Sequence, residues 1–303
     1  MRSCRPTCPG LTTRPLAGAT GRGQTAAVHV DPAWVVLPAP PPLDRALRCV
    51  WFARDDTGVA GTRQRVLPNG VVELIISLRD EPYGVLRDSM VHTQRTAWLC
   101  GIQRGPLVIQ SPADGLLVGL RFRPGGMRAL WRVPLHELTD DVVAFDGIDG
   151  PLLATLRDRL RAADTVADAM AALAGLLAPR VDLDTLATGT VHAALRALGR
   201  DRELGMGALA AGLGVTPQHL VRIFRDGVGV PPRLLTRILR FDRVVRAVGP
   251  LSEPPRWASI AADAGYYDQS HLVSEFRTLA GVTPTGYWAR RLPGGEHLAE
   301  EPV

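Results

Sequence analysis

The chain has 303 residues, 46% of them hydrophobic and 21% charged, which is typical of a globular protein with two domains. No apolar run reaches the about 18 residues of a membrane span, and the N-terminal segment lacks the apolar core of a secretory signal. The net charge of +5 is uneven: residues 190–291 carry 14 arginines against 8 acids, whereas residues 28–189 carry 17 against 19. This asymmetry predicts that one part of the chain binds a polyanion.

The first 27 residues differ from the rest. They hold four arginines and no acidic residue, and residues 1–27 are therefore predicted to be a basic disordered tail. The four cysteines, Cys4, Cys8, Cys49 and Cys100, form no C-x-x-C pair and have no histidine nearby. This spacing favours reduced cysteines in a cytoplasmic protein over a zinc site or a disulfide framework.

Residues 28–150 read as a series of short strands. Apolar stretches such as VVELIISL and GLLVGLRF are separated by turn residues, and Asn69-Gly70 is a good hairpin signal. Several short strands at this spacing predict a mostly-β small barrel or sandwich, for which a cupin-like fold is one form.

Further along, the pattern becomes helical. GGMRALWRV predicts a short helix, and residues 151–178 alternate Leu and Ala with Arg and Asp at a period near 3.6. PRVDLD at 179–184 interrupts this pattern. We therefore expect a helical linker region over 151–189, an all-α domain over 190–291 and an acidic tail over 292–303. The predicted fold class is α+β.

The basic block contains an internal repeat. Residues 209–232 and 260–284 match with a single one-residue shift, from an offset of 51 to one of 52. The later matches pair His219-Leu220-Val221 with His271-Leu272-Val273, Phe224-Arg225 with Phe276-Arg277, Gly229-Val230 with Gly281-Val282, and Pro232 with Pro284. So many matches indicate a duplicated structural unit.

Each copy has the parts of a helix-turn-helix. A small residue that permits close helix packing and a turn glycine recur in both copies: Ala210 and Gly214, then Ala261 and Gly265. Thr216, followed by Pro217, and Asp268 are the expected N-caps of the second helices. One-sided apolar stripes complete the units: Leu220, Ile223 and Phe224 in the first, Leu272, Phe276 and Leu279 in the second.

The opposite face of each second helix is polar. It carries Gln218, Arg222 and Arg225 in the first copy, and Gln269, Ser270, Ser274 and Arg277 in the second. Amides, guanidinium groups and hydroxyls suit base edges and phosphates in a major groove. The alternative is that each polar face is an ordinary solvated helix face. Two matched copies within a basic block argue against this alternative.

A long helix is predicted between the copies. PRLLTRILRFDRVVRAV at 232–248 would span roughly 25 Å, and a stiff connector of this size can hold two helices about one DNA turn, roughly 34 Å, apart. Its arginines either touch phosphates or form a solvated stripe; they are Arg233, Arg237, Arg240, Arg243 and Arg246.

On these residues, 190–291 resemble the DNA-binding domain of AraC/XylS-type bacterial transcription regulators, down to the tail EFRTLAGVTPTGYWARR. The resemblance implies that both units dock into successive major-groove segments on one side of the duplex. The DNA-binding candidates are Gln218, Arg222, Arg225, Gln269, Ser270, His271, Ser274 and Arg277. Val221 departs from a position that is often polar in the family and suits a thymine methyl. Ser274 stands where some members have arginine, which implies a weaker second unit.

VLPNGVVELIISL resembles a signature in the N-terminal region of a subgroup of these regulators, where such regions often act as small-molecule sensors or dimerisation modules. Glu73 is a candidate ligand-facing carboxylate, although strand alternation favours an outward Glu73. Four aromatic residues either line a pocket or belong to the core, and we favour the core for most of them: Trp51, Phe52, Trp98 and Phe122.

These observations favour a sequence-specific transcription regulator without chemistry, cofactor or metal, located in the cytoplasm at the nucleoid. Double-stranded DNA is the expected partner; a small-molecule effector, RNA polymerase and a second copy of the chain are further candidates, and no membrane is expected. The alternative is an enzyme with a cupin-like or alkyl-repair N-terminal domain. Against it, the seven histidines form neither H-x-H nor H-E-x-x-H, and Cys49 and Cys100 lack the context of a reactive cysteine.

Overall fold

The computed structural model describes residues 34–55, 59–87, 90–185, 188–201, 204–293 and 295–300. The predicted tail at 1–27 lies outside the described residues, as do Cys4 and Cys8 and the last three residues of the predicted acidic tail.

Eleven strands lie within these described ranges. They are β1 (Trp34–Leu37), β2 (Leu47–Asp55), β3 (Thr62–Val66), β4 (Glu73–Ser77), β5 (Tyr83–Arg87), β6 (Met90–Gln94), β7 (Ala97–Cys100), β8 (Leu107–Ser111), β9 (Gly115–Phe122), β10 (Val142–Ala144) and β11 (His297–Ala299). One antiparallel sheet has the order β1-β2-β9-β4-β7-β10 and a second has the order β11-β3-β8-β5-β6. Each sheet keeps two edge strands among the described residues, so the predicted β-rich part consists of two open sheets and not of a closed barrel.

The turn at Asn69-Gly70 does not close a hairpin, and that prediction is wrong. Gly70 does adopt the positive φ of such a turn, +70°. However, β3 before it and β4 after it belong to different sheets, because β4 pairs with β7 and β9. The turn therefore carries the chain from one sheet to the other.

Nine α-helices follow in the described ranges. They are α1 (Asp146–Arg161), α2 (Val166–Leu177), α3 (Thr188–Arg200), α4 (Met206–Gly212), α5 (Pro217–Gly227), α6 (Pro232–Val248), α7 (Trp257–Ala264), α8 (Gln269–Ala280) and α9 (Pro284–Arg290). The continuous pattern predicted over 151–178 is split in two, because Thr165 and Asp168 form a capping box that starts α2. The short helix predicted at GGMRALWRV is a single 3-10 turn, Met127–Ala129.

The main apolar core joins the six-stranded sheet to the helices. Phe52, Ile76 and Phe122 are fully buried in it together with Leu153 of α1, and the same cluster continues into α6 and α8. Phe52 and Phe122 are thus core residues, as expected. None of the described helices has both the length and the apolar character that a membrane span requires.

Candidate nucleic-acid interface

The two copies of the repeat fold into the same local structure. In each, a short helix leads through a turn into a longer one: α4 into α5, and α7 into α8. The first helix carries a fully buried alanine, Ala210 or Ala261. In both copies the amide five residues after that alanine donates a hydrogen bond to its carbonyl, at 3.1 Å from Val215 and 2.8 Å from Tyr266. The sequence repeat therefore corresponds to a repeat of backbone geometry.

The turns depend on glycine. Gly214 has a φ of +68° and Gly265 a φ of +73°, a conformation that side chains with a Cβ rarely adopt. Apart from its two chain neighbours, no residue has a heavy atom within 4 Å of where a Cβ on Gly214 would stand, so its backbone conformation alone requires glycine there.

The predicted caps of the second helices are confirmed. Thr216 Oγ1 accepts a hydrogen bond from His219 N at 3.1 Å, and Asp268 Oδ1 accepts one from His271 N at 2.7 Å. Each side chain satisfies an amide that the helix itself leaves unpaired. These bonds fix where each second helix begins, and with it which residues its first turn presents outward.

The second helices bury one face and expose the other. The apolar positions Leu220, Phe224, Leu272 and Phe276 are at most 1% exposed. The side chains of the predicted DNA-binding set are all exposed: Gln218, Arg222, Arg225, Gln269, Ser270, His271, Ser274 and Arg277. On α8, five side chains line an open groove of about 420 Å³: Gln269, Ser270, Val273, Ser274 and Arg277. The geometry thus presents two matched polar ridges to solvent.

The first ridge also contains an exposed apolar side chain. Val221 is 53% exposed, although apolar residues on a helix of a folded domain are usually turned inward. Next to it, Arg222 Nη2 lies 3.1 Å from His219 Nδ1. The first turns of α5 therefore combine a methyl surface with a guanidinium group, the two chemistries that recognise thymine and guanine in a major groove.

Sequence reasoning missed Tyr267. This residue lies in the turn before α8, and its side chain is 94% exposed. An aromatic ring so exposed beside a polar ridge suits contact with a sugar or a phosphate. The signal was present in the sequence, as an aromatic residue between the turn glycine and the cap.

The connector helix begins and ends where the sequence predicted, at Pro232 and Val248. Its arginines, however, mostly bind protein groups. Arg237 Nη2 donates to Glu275 Oε1 of α8 at 2.6 Å, and Arg240 stacks over the Tyr266 ring at 4.9 Å. Glu275 is buried, so this ion pair fixes α8 against α6. Of the five arginines, Arg233 and Arg243 are exposed. Arg233 Nη2 donates to Leu204 O at 3.2 Å, so Arg243 is the best remaining candidate for a phosphate contact.

Glu73 does not point outward, and that interpretation is corrected. Its side chain is buried and forms an ion pair with Arg121, and its Oε1 accepts a hydrogen bond from Trp51 Nε1 at 3.1 Å. Arg121 comes from β9, directly beside β4 in the sheet. Local alternation could not predict this partner, because Arg121 is 48 residues away in sequence.

A cleft of about 570 Å³ separates the sheets from the helix-turn-helix units. One wall comes from β5 and the segments near β8, the other from α6 and α8. The lining mixes arginines with apolar groups, including Arg87, Arg104, Pro106, Leu234, Arg237 and Leu279. Among the residues that the structure describes, no three His, Cys, Asp or Glu side chains are grouped so as to hold a metal ion.

Two family models match this chain. Residues 35–144 match a domain of unknown function, DUF6597, and residues 209–290 match a helix-turn-helix domain. No curated protein matches the chain.

Several solved structures are distantly similar. ToxT from Vibrio cholerae is 12% identical over 78% of this chain and 97% of that chain, with a TM-score of 0.46. ToxT from Vibrio cholerae with a bound unsaturated fatty acid is 10% identical over 85% of this chain and 95% of that chain, with a TM-score of 0.44. The AraC-like transcriptional activator CuxR is 13% identical over 69% of this chain and 86% of that chain, with a TM-score of 0.24. These likenesses are too distant to carry an argument about ligands.

The assignment therefore depends on the C-terminal units. They combine a family match over residues 209–290, two helix-turn-helix units of the same backbone geometry and the long helix that joins them. Residues 209–290 are a double helix-turn-helix domain of the AraC/XylS type, the DNA-binding domain that their sequence resembles.

Proposed function

We propose that α5 and α8 enter successive major-groove segments on one side of a DNA duplex. The observation that carries this proposal is the pair of matched, solvent-exposed polar ridges on capped helices of the same backbone geometry. The connector α6 has 17 residues and thus spans roughly 25 Å. Helices held by such a connector can reach groove segments about 34 Å apart.

Within each ridge the roles follow from chemistry. Gln218 and Gln269 stand in the first turn of their helices, where a side-chain amide can bind an adenine edge through two hydrogen bonds. Arg222 suits guanine, and Val221 a thymine methyl. Arg225, Arg277 and the exposed Tyr267 suit phosphates and sugars, which fix the register of the protein without reading sequence.

Selection of binding sites from random duplexes, using the full-length protein, tests this proposal. We expect an enriched site with two blocks of preferred bases separated by about one helical turn. Enrichment of a single block, or none above that of random DNA, would contradict it. Genome-wide mapping of occupied sites with tagged protein would then identify the regulated genes.

We further propose that residues 28–150 form a sensor or dimerisation domain, residues 151–189 a helical linker and residues 190–291 the DNA-binding domain. The cleft between sheets and helices is a candidate effector site, because a ligand there would touch both parts. Its lining combines leucines with three arginines that already pair with carboxylates, which suits a mostly apolar small molecule with a polar group. A thermal-shift screen of the full chain tests this, since a ligand that binds the folded state raises the midpoint. A ligand whose effect survives Arg104→Ala would argue against this cleft.

We propose that the chain has no enzymatic activity of its own. Burial raises the pKa of the Cys100 thiol to about 12 and also raises the pKa of the Cys49 thiol. Both thiols are therefore poor nucleophiles, unlike the reactive cysteine of an alkyl-repair protein. Elemental analysis of the purified protein tests the metalloenzyme alternative, and a stoichiometric transition metal would support that alternative.

The remaining partners follow from this role. We propose that the protein acts in the cytoplasm at the nucleoid, where its DNA is, and that RNA polymerase and a second copy of the chain are its candidate protein partners. Sedimentation with and without the selected duplex tests whether two copies of the chain associate.

A further inference from the structure

The segment after the second helix-turn-helix unit returns to the N-terminal sheets. Residues 295–300, hereafter the strap, contain β11, which pairs with β3 so that Leu298 lies opposite Arg65. Leu67 N donates a hydrogen bond to Glu296 O at 3.0 Å, and the Leu298 side chain is fully buried. A segment expected to be an acidic tail is thus the edge strand of a sheet built mostly from residues 62–111.

A mostly buried carboxylate lies at the start of the strap. Glu296 Oε2 is 2.7 Å from Arg121 Nη2 of β9, and its Oε1 is 2.8 Å from Arg246 Nη2 of α6. Arg121 also pairs with Glu73, and Arg246 Nε lies 2.9 Å from Asp242 Oδ2. Five charges of alternating sign therefore run from β4 to α6. We call this row, Glu73, Arg121, Glu296, Arg246 and Asp242, the charge chain.

The strap also packs against the C-terminal part of α6. Gly295 has a φ of +76°, and a Cβ there would lie 2.8 Å from Gly249 Cα, just beyond the helix. The Tyr287 hydroxyl of α9 donates to Gly295 O at 3.1 Å. Close contact of this kind leaves no room for a side chain at residue 295.

The turn singled out by the Pro-Asn-Gly…Glu pattern contacts the middle of the same helix. A Cβ on Gly70 would lie 3.0 Å from Leu239 Cδ2 and 3.2 Å from Leu235 Cδ1. Glu73, in the same pattern, begins the charge chain. The pattern thus provides two contacts toward α6, one apolar and one through charge.

The N-terminal part touches both second helices. His136 Nε2 lies 2.9 Å from Arg225 Nη2 of α5, and Thr139 Oγ1 donates to Gly229 O at 2.9 Å. Arg65 of β3 donates from Nη1 to Ala280 O, at the end of α8, at 3.0 Å, and it also pairs with Glu300 of the strap. The docked sheets therefore help set where α5 and α8 stand relative to each other.

We propose that the strap is an interdomain latch, in which Glu296 joins the sheets to α6 and couples the N-terminal part to the placement of α5 and α8. Without Glu296, the buried Arg121 and the partly buried Arg246 would both lose the carboxylate that they share, so we expect the joint to open as a unit. A charged joint also suits reversible opening, because its groups are well hydrated when exposed, whereas an opened apolar joint exposes surface that favours aggregation. The coupling to DNA rests on the function proposed above.

Hydrogen–deuterium exchange on the full-length protein tests the latch, with and without the selected duplex. In the wild type we expect DNA to protect α5 and α8 and also to change the exchange of β3, β9 and β11. Glu296→Gln should keep the protection of α5 and α8 and lose the change in the three strands. Glu253→Gln, at an exposed position after α6, is the charge-matched control and should behave as the wild type.

A second comparison requires no DNA. In Glu296→Gln the exchange of β11, β3 and the end of α6 should rise above that of Glu253→Gln. If Glu296→Gln does not fold, Gly295→Ala displaces the strap while keeping all five charges and should give the same result. Two results would overturn the proposal. One is equal exchange in the latch variants and the control, and the other is a response of the three strands to DNA that is the same in Glu296→Gln as in the wild type. Failure of the wild type to protect α5 and α8 would instead contradict the proposed DNA binding, and the DNA-free comparison would still decide the latch.

Discussion

At the scale of single residues, DNA recognition depends on a few exposed side chains whose backbones are fixed by caps. Arg222 and Gln269 belong to different units and are both exposed. They make no ion pair that an exchange for alanine would break within the described part of the chain. Their loss should therefore affect DNA binding and leave folding nearly unchanged.

Arg222→Ala and Gln269→Ala should each cost about 1–3 kcal/mol of binding free energy on the cognate site and relax specificity locally. Fluorescence anisotropy on cognate and random duplexes measures this loss. Arg95→Ala, which removes an exposed arginine between β6 and β7, is the charge control. An equal loss on both duplexes would show that these side chains do not read bases.

Glu296 gives a prediction about pH. Burial would raise its pKa, but Arg121 and then Arg246, with a smaller contribution from His297, hold the pKa of this carboxyl at about 2, below its ordinary value of 4.5. A depressed pKa means that the ionised group stabilises the fold fully above pH 4.5 and that this stability is lost as the pH falls toward 2. Two further carboxyls belong to the charge chain. Burial raises the pKa of Asp242, which therefore acts in the opposite sense, and Glu73 pairs with Arg121.

We therefore expect the free energy of unfolding of the wild type to fall by on the order of 3 kcal/mol between pH 4.5 and pH 2 as Glu296 is protonated. Glu296→Gln lacks this contribution at every pH and should not show this loss. Thermal unfolding midpoints of both proteins across this range measure the difference. If the two midpoints stay the same distance apart at every pH, Glu296 is not ionised in the folded state.

At the scale of elements, the helix-turn-helix units follow from local rules. The bounds of α6 and the caps at Thr216 and Asp268 could be predicted because proline, threonine and aspartate act on the few residues beside them. The strap, the Glu73–Arg121 pair and the crossover at Asn69-Gly70 could not, because each depends on a partner strand far away in sequence. A turn signal predicts a turn, but not which sheet the next strand joins.

The turn glycines provide a matched pair of substitutions. Gly214→Ala should destabilise the protein by about 1–2 kcal/mol, because alanine resists the positive φ there. Gly212→Ala, at the end of α4 and equally free of neighbours, should be neutral or stabilising because alanine favours a helix. Thermal unfolding distinguishes the two, and equal midpoints would mean that the turn does not require glycine.

At the scale of the whole molecule, charge is divided between the parts. Residues 190–291 carry the basic excess, and the sheets and linker helices are close to neutral. Neutralisation of phosphates releases counterions, so we expect the affinity for DNA to fall steeply as salt is raised. Affinity titrations between about 50 and 200 mM salt measure the slope, and a flat dependence would argue against contacts between the arginines and phosphates.

The central claim is that two helices of one chain read two adjacent groove segments. Hydroxyl-radical footprinting on a selected site tests it most directly. We predict two protected blocks on one face of the duplex, about 10 base pairs apart, and Gln269→Ala should weaken only one of them. A single block, or two blocks that weaken together in that variant, would contradict reading by separate helices.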